Sequence, residues 1–278
     1  MRPNGSNPRP TSSEQRLLPL LLLALATGSI GGADAACAWS PTGHRVVAQI
    51  ATDRLGETAR RESFALLGTS LAEASTWADE VREDPAWKWL DPYHYVNLDP
   101  RSGRFEGCPQ RGCVVDGIRN ALATLRDTGR PREDRVVALR QLVHFVADLH
   151  QPLHVSHAAD RGGNAIEVRW FGEPSNLHWV WDTGIVRQEL GRSWREIAAT
   201  LERQLRRGAL GEVEAWRTGD VVDWTHETYR LSVGTVYPSA RPGARLGREY
   251  ARSHSRLVET QLAKGGVRLA WLLDGVWP

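Results

Sequence analysis

Apolar residues return at helical spacing through residues 46–55, 59–67, 114–125, 136–149, 190–205, 213–233 and 246–273. A side chain comes back to the same face of a helix about every 3.6 residues, so each of these segments can bury one stripe, and an architecture built mainly on strands is excluded. Pro152, Pro174, Pro238 and Pro242 fall between the periodic segments. Each breaks the helical pattern because proline has no amide donor. One segment alternates instead: in residues 165–171, Ile166, Val168 and Trp170 interleave with Glu167 and Arg169 after the turn Arg161-Gly162-Gly163-Asn164. The expectation is an all-α, single-domain helical fold with a small β-ribbon and no internal repeat.

The N-terminus reads as a cleaved export signal. Arg2, Arg9 and Arg16 precede a short apolar run over residues 17–26, and small residues close on Ala36-Cys37-Ala38. The run has the length of a signal core and is shorter than the roughly 20 residues that span a bilayer. Residues 1–38 are therefore expected to leave and residues 39–278 to form one domain, secreted or periplasmic, with Trp39 as the new N-terminus. The whole chain has a formal charge of +2. The leader holds three arginines against Glu14 and Asp34, so the remainder is at +1. A polyanion would have to be drawn in locally, by bound cations or a few arginines, and not by a basic surface.

Cys37 departs with the leader, leaving Cys108 and Cys113 in a loop rich in glycine and proline. Two free thiols or half of a zinc site are alternatives, but an exported compartment permits a disulfide, and the pair reads as a loop staple.

His144 and Asp148 lie four apart on one helical segment, so both project from one face. Pro152 ends that helix and His154 follows, bringing a further imidazole back towards it. His178 and Asp182 repeat the spacing of four on a second expected helix starting near Pro174. One such pair is most often a hydrogen bond on a helix surface; two pairs with an extra histidine suit a metal, and imidazole with carboxylate suits Zn2+. Asp79 and Arg82 stand one helical turn apart, either an ordinary salt bridge or two groups facing one site. Tyr93-His94-Tyr95-Val96-Asn97 reads as core packing or as a ligand beside a stacking platform. Trp39 and His44 put an α-amine and an imidazole at the ends of a short turn leading into a helix.

Taken together, residues 39–44, Trp77-Ala78-Asp79, His94-Tyr95-Val96-Asn97, His144-Phe145-Val146-Ala147-Asp148, Gln151-Pro152-Leu153-His154, Gly162-Gly163-Asn164 and Asn176-Leu177-His178 with Asp182 resemble the zinc-dependent single-strand-specific nuclease and 3′-nucleotidase family of plants and fungi. The resemblance spans residues 39–278 in order. It implies the helical fold shared with zinc phospholipase C and three Zn2+ per chain. Asp79, His94, His144 and Asp148 would surround one zinc. The Trp39 amine and carbonyl, His44 and the bridging Asp148 would hold a second, and His154, His178 and Asp182 a third. The implied substrates are single-stranded DNA and RNA and 3′-nucleotides, cut to 5′-phosphates and 3′-hydroxyls by a monomer with no stable membrane association.

Clustered zinc would neutralise a phosphodiester and supply hydroxide near neutral pH, oriented by Asp79, while Arg82 stabilises the phosphoryl oxygens. Tyr95 would stack an unpaired base and Asn164 would help to build the site. Asn97 stands where eukaryotic members commonly carry aspartate, so their base preference does not transfer. Cys108 and Cys113 match the family's short-loop disulfide, and no cysteines remain for its long-range bridge. There is no N-glycosylation sequon after Trp39, and lysine occurs only at Lys88 and Lys264 among many arginines, as expected of a bacterial source. His150, His157, His226 and His254 match no ligand position. Two other readings remain: a zinc phospholipase C, against which Asp182 argues because that family typically ends its last metal pair in glutamate, and a non-catalytic zinc-binding protein.

Overall fold

The computed structural model describes residues 39–191 and 193–278. The expected leader and its cleavage site lie outside the described residues. Helix α1 (Pro41–Arg54) starts with proline in its first turn, where no amide donor is needed. It packs along α12 (Arg248–Asp274), the longest helix. Their close approach depends on Gly265 and Gly266. A Cβ on Gly266 would stand 2.5 Å from the Ile50 side chain, and one on Gly265 3.3 Å from Val47. Helix α2 (Glu57–Leu67) ends at Gly68, whose left-handed φ of 69° closes the last turn. Two single-turn helices follow, α3 (Leu71–Ala74) and α4 (Trp77–Glu80).

A 3-10 segment, Pro85–His94, leads to strand β1 (Val96–Asn97). Helices α5 (Val114–Arg126) and α6 (Arg132–Leu149) then fold back on each other through a short loop. Helix α6 carries fully buried Leu139, Leu142, Phe145 and Leu149. Each such side chain contributes roughly 1.5–3 kcal/mol by leaving water. From residue 141 to residue 156 every side chain is buried. A 3-10 turn, Pro152–His154, runs into β2 (Val155–Ser156). Strands β1 and β2 pair in parallel, Val96 opposite Val155, which fastens the chain just past His94 to the chain just past His154.

The expected ribbon is the hairpin of β3 (Glu167–Trp170) and β4 (Glu173–Asn176), joined on its other side by β5 (Arg245–Leu246) to give the order β4-β3-β5. The hairpin delivers Asn176, whose side chain accepts from the Trp179 amide and caps α7 (Leu177–Trp179). Two π-helical segments continue it, Val180–Gly184 and Val186–Leu190.

Helix α8 (Trp194–Arg206) buries Ile197, Leu201 and Leu205, and its Glu202 pairs with Arg54 of α1. Then come α9 (Val213–Trp216), α10 (Val221–Leu231), a π turn and the short α11 (Tyr237–Ser239).

The fold is mostly helical with small sheets, as the periodicity implied, but two segments are divided differently. Residues 190–205 are not one helix, because Gly191 (φ 131°) separates Leu190 from α8. Residues 213–233 break at Gly219 (φ 75°), after which Asp220 and Asp223 form a capping box that starts α10. Among the described residues no helix is long and apolar enough to cross a membrane.

Candidate metal centre and its cleft

Three separate stretches of chain bring side chains to His144 and Asp148 of α6. His144 Nε2 lies 3.3 Å from Asp148 Oδ2, one turn along the same helix. His94, from the end of the 3-10 segment, places Nδ1 3.0 Å from Asp148 Oδ2 and 3.1 Å from His144 Nε2. Asp79 of α4 brings Oδ1 to 3.7 Å from His144 Nε2 and 3.9 Å from His94 Nδ1. His44, in the first turns of α1, stacks on His144 at 3.9 Å between centroids, with Nε2 3.5 Å from Asp148 Oδ1. The two oxygens of Asp148 thus face different histidines. Further along, His178 Nε2 is 3.0 Å from Asp182 Oδ2, and His154 Nε2 is 3.7 Å from Asp182 Oδ1.

Three groups of possible ligand atoms result: His44, Asp79 and His144; His94, His144 and Asp148; and His154, His178 and Asp182. Within each group the atoms lie inside 4.8 Å of one another. Trp39 is buried beside them, its side chain against Gly43, and the next amide, Ser40 N, donates to the Asp182 carbonyl at 3.0 Å.

Three of the imidazoles have their tautomer set by a carbonyl. His144 Nδ1 lies 2.7 Å from Ser75 O, His154 Nδ1 2.8 Å from His94 O, and His178 Nδ1 2.6 Å from Gly162 O. A carbonyl only accepts, so Nδ1 carries the proton and the Nε2 lone pair is turned into the cluster. Gln151 holds Asp182 in the same way, donating from Nε2 to its Oδ1 while its own Oε1 accepts from Leu153 N at 2.5 Å.

The donor set fits a divalent cation. Both ring nitrogens of His44, both oxygens of Asp79, Asp148 Oδ1 and Nε2 of His94, His154 and His178 are buried without a hydrogen-bond partner among the described residues. Each unpaired buried polar atom costs roughly 1–3 kcal/mol, more when charged, so a cluster of them in a folded core calls for something to coordinate. Tetrahedral shells with bonds of about 2.0–2.2 Å have edges of about 3.3–3.6 Å between ligand atoms, and the contacts above, 3.0 to 3.9 Å, bracket that range.

Without a cation the site is electrostatically mismatched. Burial, then the neighbouring imidazoles, hold His44 well below the ordinary histidine range. The same causes, with Arg82, depress His94. Burial takes His154 down to about 3, and the same burial pushes Asp148 up to about 7. His144 and His178 are the exceptions: burial opposes the charge on both, but Asp148 and Asp79 outweigh it and raise His144 to about 9, and Asp182 outweighs it and raises His178. Most of the imidazoles are therefore neutral, with lone pairs open to a metal, at ordinary pH.

The cluster forms the floor of a cleft of about 340 Å3. Arg82, Arg111 and Arg161 line it, together with Tyr95, Asn97 and Asn164. Arg82 Nη1 stands 3.6 Å from Asp79 Oδ1 and its Nε 3.6 Å from Asp91 Oδ1, so the pair expected from spacing does meet. Asn164 Nδ2 donates to Arg161 O at 2.8 Å. Three successive residues, Arg161, Gly162 and Gly163, hold left-handed φ of 56°, 63° and 80°. Gly162 is required there twice over, since a Cβ would stand 2.5 Å from Leu153 O.

Cys108 and Cys113 form the disulfide. The four histidines left without a role stay out of the clusters. His150 meets Arg268, His157 meets Tyr229 and Tyr237, His226 accepts from the Phe105 amide, and His254 lies on Tyr250. Sequence reasoning missed Gln151, Arg111, Arg161 and Asp91. Gln151 had a signal, a polar side chain next to the proline that ends α6; the others carry none outside the folded cleft.

The model of the S1/P1 Nuclease family matches residues 39–277. Endonuclease 4 of Arabidopsis thaliana is 32% identical over 270 residues, covering 87% of this chain and 90% of its own length. Nuclease P1 of Penicillium citrinum is 30% identical over 264 residues, covering 84% and 96%, and nuclease S1 of Aspergillus oryzae is 28% identical over 285 residues, covering 93% and 97%.

Proposed function

The chain belongs to the S1/P1 nuclease family, and from that premise we propose that it is a zinc-dependent hydrolase of phosphodiester bonds in single-stranded DNA and RNA, also active on 3′-nucleotides, with three Zn2+ per chain. The observation that carries this reading is the set of buried, unpartnered nitrogen and oxygen atoms at the cleft floor. Asp79, His94, His144 and Asp148 hold one zinc. The Trp39 amine and carbonyl, with His44 and Asp148, hold the second, and His154, His178 and Asp182 the third. Bound zinc supplies positive charge opposite the phosphodiester and acidifies water towards neutral pH.

The protein's own groups do the rest. Asp79 accepts a hydrogen bond from the attacking water and orients it. Arg82 donates to the non-bridging phosphoryl oxygens as the bond from phosphorus to the 3′-oxygen breaks, so a 5′-phosphate and a 3′-hydroxyl are released. Tyr95 offers its ring to an unpaired base, which a duplex does not present without unstacking, and Asn97 offers both a donor and an acceptor to the base edge. Asn164 supports the opposite wall. The protein is exported, loses residues 1–38 and acts as a soluble monomer. The anchoring of Ser40 N to the Asp182 carbonyl supports placing the Trp39 amine at the cluster.

The test is to assay the purified, zinc-loaded protein with Trp39 as its first residue on single-stranded DNA, RNA, 3′-nucleotides and phosphatidylcholine. Hydrolysis of the first three, with no release of phosphocholine from the last, is expected; no hydrolysis of nucleic acid overturns the reading. A protein that keeps one residue ahead of Trp39 is expected to lose most activity and part of its zinc, and full activity there removes Trp39 from the site.

A further inference from the structure

The loop closed by the Cys108–Cys113 disulfide contributes Arg111 to the lining of the cleft. It holds only four residues between the half-cystines, Pro109, Gln110, Arg111 and Gly112. The loop is stiff: Gly112 N donates to Pro109 O at 2.8 Å, and Gly112, at φ 91°, lies so close on Tyr93 that a Cβ would be 2.6 Å from its ring. Directly after it, Val114 N donates to Tyr95 O at 3.1 Å, tying the loop to the residue that carries the stacking ring, just ahead of β1. The short staple therefore presents one long side chain, Arg111, into the cleft.

Arg111 is exposed and makes one hydrogen bond, Nη2 to the Tyr95 hydroxyl at 3.0 Å. Its guanidinium carbon is 5.9 Å from the Tyr95 ring centroid, at the outer limit of a cation–π contact, so the hydroxyl bond is the closer tie. A guanidinium has five N–H donors. The other four have no acceptor, and the charge no carboxylate partner, among the described residues. An arginine fixed by a disulfide loop, with a fork of free donors beside a ring that takes a base, is matched to a phosphate oxygen pair.

We propose that the Cys108–Cys113 loop is a substrate arm on which Arg111 grips a phosphate next to the scissile one, while the base of that nucleotide lies on Tyr95. The proposal rests on the single-strand nuclease reading above. The disulfide has a binding role here: it holds the arm at the distance of one nucleotide, and the Tyr95 hydroxyl sets the guanidinium's direction.

The experiment compares wild type, Arg111→Ala, Arg111→Lys and Cys108→Ser/Cys113→Ser on a single-stranded oligonucleotide and on a dinucleoside monophosphate, whose only phosphate is the scissile one. Arg111→Ala is expected to raise KM for the oligonucleotide about tenfold, the worth of one charge-assisted bond. It should also lower the slope of log KM against log salt by about 0.7, one phosphate contact on a single strand. It should leave kcat, and both constants for the dinucleoside monophosphate, unchanged. Arg111→Lys recovers the salt slope and part of KM. Tyr95→Phe, which removes the hydroxyl but no charge, keeps the full salt slope, so an Arg111 that merely steadied Tyr95 would be exposed by equal effects of the two variants.

Loss of the disulfide should raise the oligonucleotide KM in wild type and add nothing on top of Arg111→Ala. An unchanged salt slope in Arg111→Ala, an equal effect on both substrates, or additive effects of the two changes overturns the proposal. If wild type cuts no oligonucleotide at all, the nuclease reading falls and the proposal with it. If wild type cuts and Arg111→Ala matches it, the proposal alone falls.

Discussion

Two polar assemblies are buried on the same stretch of α6, only two residues apart, and they are built on opposite principles. On one side His144 and Asp148 join a cluster in which both ring nitrogens of His44, both oxygens of Asp79, Asp148 Oδ1 and Nε2 of His94, His154 and His178 are left without hydrogen-bond partners among the described residues. On the other, His150 donates from Nδ1 to Val146 O and accepts on Nε2 from Arg268 at 2.9 Å. Arg268 completes its set with Trp216 O and Glu227, and Lys264 closes the ring on Glu227. There burial and the Arg268 charge keep His150 neutral, down at about 3, while Arg268 and Lys264 outweigh the effect of burial on Glu227 and hold it down at about 2. In the second assembly both cations, Arg268 and Lys264, find a carboxylate in the protein, the shared Glu227. In the first, the counter-charge has to come from outside. A buried polar network that satisfies itself fixes a fold, and one that does not is a receptor.

The contrast can be broken most directly at Asp148. Asp148→Ala removes a carboxylate whose two oxygens face different histidines, and kcat/KM is expected to fall by well over the roughly 10–100-fold that follows loss of a group merely supporting a ligand. Bound zinc, counted per chain, should fall with it, and a variant that keeps full zinc and activity would erase the distinction. Arg268→Met should do the reverse. It leaves Glu227 with Lys264 alone and takes the hydrogen bonds from buried His150 Nε2 and from Trp216 O, costing about 1–3 kcal/mol in denaturant unfolding, while kcat per folded molecule and zinc content hold.

Gln151→Ala sits between the two assemblies: it loosens Asp182 without removing a ligand, so a drop of about 10–100-fold in activity is expected, accompanied by loss of about one zinc. Gly162→Ala should cost about 1–2 kcal/mol for its left-handed φ and disturb the carbonyl that orients His178, read as weaker zinc retention against a chelator.

The smallest effect is in acid. Glu227 titrates near 4.5 when unfolded and about 2 when folded. Its contribution is complete above about 4.5 and is lost as the pH falls towards 2. Glu227→Gln should therefore flatten the fall in unfolding free energy across that window, and an unchanged profile would remove Glu227 from the stability of the second assembly.

Much of this was legible in the sequence, and unevenly so. Helices with one wet face, such as α5 and α8, show their period plainly because half of each turn stays polar. The helix of residues 177–190 shows itself only in the His178 and Asp182 spacing, with a start expected near Pro174, which in fact lies in β4 three residues before Leu177: Val180, Trp181, Ile185 and Val186 are all fully buried, so little polar pattern marks its first turns, and its π segments depart from the regular spacing. The prospective ligands stood out because histidine and aspartate repeat at a spacing of four. Arg111 and Arg161 did not, because an arginine in a turn is ordinary until the fold sets it on the cleft. Gln151 was visible within a motif, but its grip on Asp182 crosses 31 positions of chain, a distance that no local pattern reports.

The unbroken burial of residues 141–156 has a last consequence, for how freely this stretch can vary. Elsewhere a helix keeps solvent-facing positions that accept almost any side chain, and changes there are usually within about 0.5 kcal/mol. Here sixteen consecutive positions offer none. Core leucines, prospective ligands, Gln151 and His150 each answer to a different neighbour, so the segment carries almost no redundancy. A library of random substitutions should find its fewest survivors there, and neither a tag nor an inserted residue has a place to go.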